Sequence, residues 1–319
     1  MIVFDSHSDL WIDILRKNRI GEKDVFKTRY LKAFQDGEVI GGIFVIWVDP
    51  PFTAYPVERS KDVIRNMAKE LNNNTDIMRL IRNYDDIEKS LKDKKMPIMM
   101  GIEGMNFMEE SVDYLDVLYL MGARHAMLTW NEENIYATGS RGNKNRGLTE
   151  KGIEVVKRME KLGMIIDVSH ANEKTFWDIV DNTTGPIIAS HSNVRRLCDT
   201  VRNLTDEQCK VIANRNGVIG MNSYDEFVSK DKAKKNLDGL IDHIDYLQKL
   251  IGIDHICFGF DFMNYLNSPP GEDESVIGLE DVSQTQNIIN AMRRRGYLEN
   301  DIEKVAYKNI FRVIKDVLD

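Results

Sequence analysis

Two residues of metal-ligand type, His7 and Asp9, stand two positions apart in VFDSHSD, Val3 to Asp9. In an extended segment residues i and i+2 face the same side, so the imidazole and the carboxylate can reach one ion together while Ser8 points away. Four more residues of this type sit at the ends of apolar runs: Glu103 in PIMMGIEG, His170 in GMIIDVSH, His191 in PIIASHSN and Asp261 in HICFGFDF. Three neutral imidazoles and three carboxylates form a mixed N/O set suited to Zn²⁺, and acceptable to Mn²⁺, Co²⁺ or Fe²⁺. Six ligands exceed what one catalytic ion with an open position needs. Two ions about 3.5 to 4 Å apart, sharing a bridging carboxylate, would use them.

Singly, each residue has an ordinary structural use: Asp167 of IIDVSH as a helix cap, His170 as a core histidine, Glu103 as a solvated turn residue. What joins them is the element each one ends. Eight short runs recur at residues 2–5, 41–48, 97–104, 123–130, 163–170, 186–193, 217–224 and 255–262. They are continuously apolar rather than alternating, which is the habit of parallel strands buried on both faces. Helical segments lie between them. Thr205-Asp206-Glu207-Gln208 has capping-box form with Gly217 set to end its helix, Thr149 and Gly163 bracket EKGIEVVKRMEKL, and Ser283 and Gly296 bracket QTQNIINAMRRR. Asn72-Asn73-Asn74 reads as a loop.

Eight alternations of β and α point to one domain over residues 1–319, an α/β fold of the (β/α)8 TIM-barrel, metal-dependent hydrolase type. Active sites of such barrels form at the C-terminal ends of the strands, where all six residues fall. The other three histidines do not share this placement. His125 lies inside a strand, His255 begins one at the opposite end, and His243 lies in a helical stretch and is expected to be solvated.

Composition removes other classes of function. A formal net charge of −8 with scattered basic residues disfavours nucleic acid as a partner. No glycine-rich phosphate loop follows any strand. Cys198, Cys209 and Cys257 share no CxxC spacing, which fits a reducing cytoplasmic setting. No basic segment and apolar h-region precede Val3, and no apolar stretch is long enough to span a bilayer, so a soluble protein without membrane attachment is expected.

In the order and spacing of these pieces the chain resembles the membrane (renal) dipeptidase family, peptidase family M19, among the amidohydrolase-like metal barrels. DSHSDL (5–10), GIEG (101–104), ARHAMLTWNEEN (123–134), DVSH (167–170), SHSNVRRLCDTVRNLTDEQ (190–208), FGFDF (258–262) and KNIFRV (308–313) carry the resemblance over nearly the whole chain. It implies a dipeptidase with two zinc ions, one on His7 and Asp9, the second on His170 and His191, with Glu103 bridging. It implies further that Asp261 is the acid/base beside a bridging hydroxide, that Arg202 holds the substrate's carboxylate, and that the protein dimerises with itself.

Two positions depart from the family pattern. Leu128-Thr129-Trp130 stands where L-T-H is usual, and Asp261-Phe262-Met263-Asn264 where DFDG is common. Indole has an N–H donor and no base, so Trp130 can donate to a substrate oxygen but cannot transfer a proton. These departures leave two other readings open: an amide hydrolase for N-acyl amino acids or lactams on the same dinuclear barrel, and a metal- and ligand-binding protein without turnover.

Overall fold

The computed structural model describes residues 1–108, 111–266 and 275–319. Among these residues nine strands run β1 (Val3–Ser8), β2 (Val39–Trp47), β3 (Met78–Leu80), β4 (Met96–Glu103), β5 (His125–Ala126), β6 (Ile165–Asp167), β7 (Ile187–Ile188), β8 (Ile219–Met221) and β9 (Ile256–Phe258). Every strand pair is parallel, in the orders β1-β2-β4-β3, β5-β6-β7 and β8-β9. Single bridges Met100–Ala123 and Glu103–Met127 join β4 to β5, and Ala189–Ile219 joins β7 to β8.

Side chains make the seam between β9 and β1. Ser6 Oγ lies 2.7 Å from the Phe258 carbonyl and 2.6 Å from that of Ser190, and the Phe260 amide donates to Asp5 Oδ1 at 3.0 Å. The result is a (β/α)8 barrel whose eight staves coincide with the eight apolar runs. β3 is additional. It pairs only with the N-terminal half of β4, through Met78–Met96 to Leu80–Ile98, and so stands outside the ring.

The barrel's centre is tight enough to require glycine. A Cβ on Gly259 would lie 1.7 Å from the Ser190 carbonyl oxygen and 2.6 Å from Ser6 Oγ. One on Gly220 would meet the same two atoms at 1.9 and 2.6 Å.

Helix punctuation follows the sequence at several ends. Thr149 caps Glu150–Leu162, which Gly163 closes in the left-handed region at φ 67°. Thr205 and Gln208 form the reciprocal capping box of Asp206–Asn214. Four local expectations need correction. Asn216, at φ 57°, takes the left-handed position assigned to Gly217, which is glycine because a Cβ there would meet the Ile187 carbonyl oxygen at 1.8 Å. The helix Gln286–Arg295 begins after Thr285, because Asp281 caps a 3₁₀ turn at Val282–Gln284 first. Asn72 and Asn73 form the last turn of the helix Pro56–Asn73 rather than a loop, and the Asn74 amide donates to Glu70. His243 is buried, accepting from the Val194 amide at Nδ1 (3.1 Å) and facing the Val228 carbonyl from Nε2 (2.9 Å). Among the described residues no helix is long and apolar enough to cross a membrane.

Candidate metal centre

The C-terminal ends of the staves bring the six sequence-selected residues to one place. His7 is the penultimate residue of β1, and the chain turns at Asp9 into the helix Leu10–Arg19. The imidazole Nε2 of His7 lies 3.5 Å from Asp9 Oδ2, 3.4 Å from Glu103 Oε2 and 3.8 Å from Asp261 Oδ1. The other oxygen of Glu103 faces away from His7, 3.0 Å from His170 Nε2 and 3.9 Å from His191 Nε2. Glu103, at the end of β4, therefore presents one oxygen to each of two groups of donors. The two histidine Nε2 atoms of the second group lie 2.9 Å apart.

A hydrogen bond on the far ring nitrogen of His170 fixes which lone pair points inward. His170 Nδ1 sits 3.0 Å from Asn131 Oδ1, an acceptor only, so Nδ1 carries the proton and Nε2 is free. His191 Nδ1 meets Ser190 Oγ at 2.8 Å. Burial, with His7 and Arg202 adding to it, holds both imidazoles well below the usual histidine range, so both are neutral and able to ligate. Buried His7 Nε2, Asp9 Oδ1 and Glu103 Oε2 have no hydrogen-bond partner among the described residues. Orphaned atoms of this kind are costly unless something else satisfies them, and neutral imidazoles with carboxylates are the donors a borderline divalent cation takes. The residues fit the metal centre that the sequence implies. Two triads within reach of single ions stand out, His7–Glu103–His191 and His7–Asp9–Asp261.

Two of these residues hold backbone conformations unusual outside glycine: φ is 63° at His170 and 56° at Asp261. Such positions cost about 1–3 kcal/mol and persist where the surroundings impose them. Here they do so through the Ser140 amide, which donates to the His170 carbonyl at 2.7 Å, and through Asn222 Nδ2, which donates to Asp261 Oδ2 at 3.1 Å. Burial, reinforced by Asp9, pushes the Asp261 carboxyl up to about 6.

Asp9, Glu103, His170 and Asp261 open onto a cavity of about 130 Å³ whose wall also contains Trp47, Trp130, Arg141, Arg202, Tyr224 and Met263. Two larger hollows, about 580 and 540 Å³, lie against β3 and against the N-terminal ends of the strands; neither gathers imidazoles with carboxylates, so the smaller one is the candidate site. Trp130 packs against Trp47, ring centroids 5.3 Å apart, and lies 6.3 Å from His170. Arg202 is buried and donates from Nη2 to the His191 carbonyl at 3.2 Å, while its Nε has no partner among the described residues. Burial lowers its guanidinium to about 10, still charged at neutral pH. Arg195 instead bonds the Asn203 carbonyl, and Arg196 is exposed.

Several residues that build the site are outside the six. Asp167 Oδ1 accepts from the Ser169 and Ser190 amides and Oδ2 meets His125 Nε2 at 2.8 Å, so the carboxylate ties the ends of β6 and β7 together instead of capping a helix. Burial works against that charge, but His125 and the amides hold it down at about 2. Asn131, Ser190 and Asn222 orient His170, His191 and Asp261, and the Tyr265 hydroxyl accepts from the Asp9 amide at 3.0 Å. Asn222 directly follows β8 inside the run 217–224, so asking which neutral amides follow strands finds it.

Known proteins share the fold. Two solved structures superpose over the length of the chain: a dipeptidase described as a metallopeptidase of family M19 (TM-score 0.90, 23% identity, covering 100% of this chain and 99% of that one), and a metallopeptidase from Rhodobacter sphaeroides bound to a phosphinate mimic of L-Ala-D-Ala (0.88, 24%, 99% and 99%). An uncharacterised Klebsiella pneumoniae protein encoded 5′ of pqqA is 35% identical over 249 residues, 75% of this chain and 89% of that one. The dipeptidase tcpJ of Claviceps purpurea is 30% identical over 247 residues, 77% of this chain but 56% of its own length. The sequence model of the membrane dipeptidases matches residues 1–319, and the chain thus belongs to the membrane dipeptidase family, peptidase family M19, a family of metallopeptidases.

Proposed function

We propose that this protein hydrolyses dipeptides with two divalent ions, zinc by preference, one held by His7 and Asp9, the other by His170 and His191, with Glu103 giving an oxygen to each. The observation that carries this reading is the division of Glu103 between His7 and the His170–His191 pair, 3.4 and 3.0 Å away. When bound, the ions supply Lewis acidity at the scissile carbonyl and lower the pKa of the attacking water toward neutrality.

The chain's own groups do the rest. Asp261 takes the proton of the attacking water and returns it to the leaving amine; a carboxyl held near 6 suits a group that must both accept and give a proton near neutral pH. Asn222 anchors its Oδ2, which leaves Oδ1 facing the centre. Arg202 has donors to spare beyond the His191 carbonyl and takes the C-terminal carboxylate of the substrate, fixing the scissile bond beside the centre. Trp130 supplies a wall of the cavity beside His170.

Arg202 gives the sharpest test. Zinc-reconstituted Arg202→Met should lose about 10- to 150-fold in kcat/KM on dipeptides, the worth of one charged hydrogen-bonded pair, and much less on the C-terminal amides of the same dipeptides. Equal losses on acid and amide would remove the carboxylate-reading role. Failure of the fully metal-loaded wild type to cleave any member of a dipeptide library, C-terminal D-residues included, would remove the dipeptidase reading itself.

A further inference from the structure

The cavity wall contains a second guanidinium, that of Arg141, for which the chemistry above has no use. Its backbone is held in place: the Arg141 amide donates to the Asn131 carbonyl at 3.0 Å, the preceding Ser140 binds the His170 carbonyl through its amide and Asn131 Oδ1 through its hydroxyl, and Gly139 bridges Ala171. The side chain, by contrast, is exposed and has no hydrogen bond or ion pair among the described residues. Arg146, five positions on, shows what a structural arginine does in the same loop. Its guanidinium is spent on the Ala137 and Asn134 carbonyls and Thr138 Oγ1.

The wall offers Arg141 no acid of its own. Its carboxylates Asp9, Glu103 and Asp261 all lie within 3.8 Å of His7 Nε2 and belong to the metal-ligand cluster. The mouth therefore carries two guanidiniums, Arg141 and Arg202, whereas a dipeptide with neutral side chains brings one carboxylate. Arg141 directly follows Ser140, whose amide holds the His170 carbonyl, and Arg202 bonds the carbonyl of His191, whose Nε2 lies 2.9 Å from that of His170, so both arginines stand on the His170–His191 side of the cavity, where the C-terminal residue of the substrate would lie.

We infer that Arg141 pairs with an anionic side chain on the C-terminal residue of the substrate, making this protein selective for dipeptides that end in aspartate or glutamate. The inference rests on the dipeptidase reading and deepens it. An unpaired guanidinium on an anchored backbone at the cavity wall is well placed for bidentate recognition of a carboxylate, which a neutral amide of the same shape cannot replace.

The test compares kcat/KM on Ala-Glu with Ala-Gln, Ala-Asp with Ala-Asn, and Glu-Ala with Gln-Ala, using L- and D-forms at the C-terminus, in the zinc-loaded wild type, Arg141→Met and Arg141→Lys. The wild type should favour the C-terminal acid over its amide by about 10- to 100-fold. Arg141→Met should bring that ratio close to one, mainly through KM, and Arg141→Lys should keep part of it. Calorimetric titration with free glutamate and glutamine should show the same Arg141-dependent preference without turnover. Acid-to-amide ratios near one in a wild type that cleaves neutral dipeptides would overturn the inference and leave the dipeptidase reading standing. So would a preference governed by Arg141 for Glu-Ala over Gln-Ala. Absence of all dipeptide cleavage would overturn both readings together.

Discussion

Three carboxylates crowd His7, and in the absence of cations protons must supply the balancing charge. Burial, with Asp9 beside it, raises Glu103 well above the usual carboxylate range; burial works against charge on His7, but Glu103 and Asp9 hold it well above the usual histidine range. Metal uptake must then displace protons. Zinc titrated near pH 7 in buffers of different ionisation enthalpy should show a net release of at least about one proton, and metal content should fall as the pH drops below about 6, where Asp261 also protonates. Buffer-independent heats would contradict this balance. Glu103→Gln removes the charge shared between the two donor groups and should leave fewer than two ions per chain by elemental analysis; full retention at unchanged affinity would mean Glu103 is not the bridge. Asp261→Asn should keep the metal and lose about 10²- to 10⁴-fold in kcat, the usual value of a positioned acid/base. An activity within a few-fold of wild type would send the proton elsewhere. All six of these residues were legible in the sequence because charged groups ending apolar runs are conspicuous. Asn131, Ser190 and Tyr265 were not, because a neutral polar residue beside a strand end looks like any loop residue until its partner is placed.

The elements carry the site through two clasps. Asp167 holds the ends of β6 and β7, which lead to His170 and His191, and Ser6 joins β1 to the Ser190 and Phe258 carbonyls. Gly220 and Gly259 leave the room that the second clasp needs. Gly259→Ala sets a methyl against the Ser190 carbonyl oxygen, a backbone atom that cannot rotate away, so Ser190 must move and His191, oriented by its hydroxyl, must move with it. Overpacking of this kind costs about 1–3 kcal/mol, and this variant should also bind the second ion more weakly. Wild-type melting temperature and wild-type metal affinity together would show that the clasp is slack. Strand recognition from sequence worked where runs were long and apolar on both faces. It missed β3, because Met78-Arg79-Leu80 is three residues long, carries a charge and pairs along one side only, which leaves no periodicity to detect.

Over the whole molecule, stability against acid should depend on a histidine far in function from the metal centre. His243 belongs to the helix Leu237–Ile251, three positions after buried Leu240 and four before buried Leu247, a spacing that puts all three on the inward face. That signal was present in the sequence and outweighed by the polarity of the residue. The ring serves the backbone, accepting from Val194 and meeting the Val228 carbonyl, and so ties the loop after β7 to the segment after β8. Burial is the main cause that holds His243 down at about 4, against an ordinary 6.5, with only partial relief from the Val228 carbonyl. The folded form thus binds this proton less readily than the unfolded chain. Its contribution is fully present above pH 6.5 and is lost as the pH falls toward 4, by about 3 kcal/mol over the interval at 1.36 kcal/mol per unit. Asp5, pushed up to about 7 by burial, acts in the opposite direction over much of the same range, so the wild-type curve alone does not isolate His243. The difference between wild type and His243→Gln does. Denaturation midpoints measured on metal-free protein from pH 7 to 4 should show the variant less stable at pH 7 and the gap narrowing steadily toward pH 4, because only the wild type loses this term. A gap that stays constant with pH would mean that His243 is equally protonated in the folded and unfolded chains, and that its burial carries no acid sensitivity.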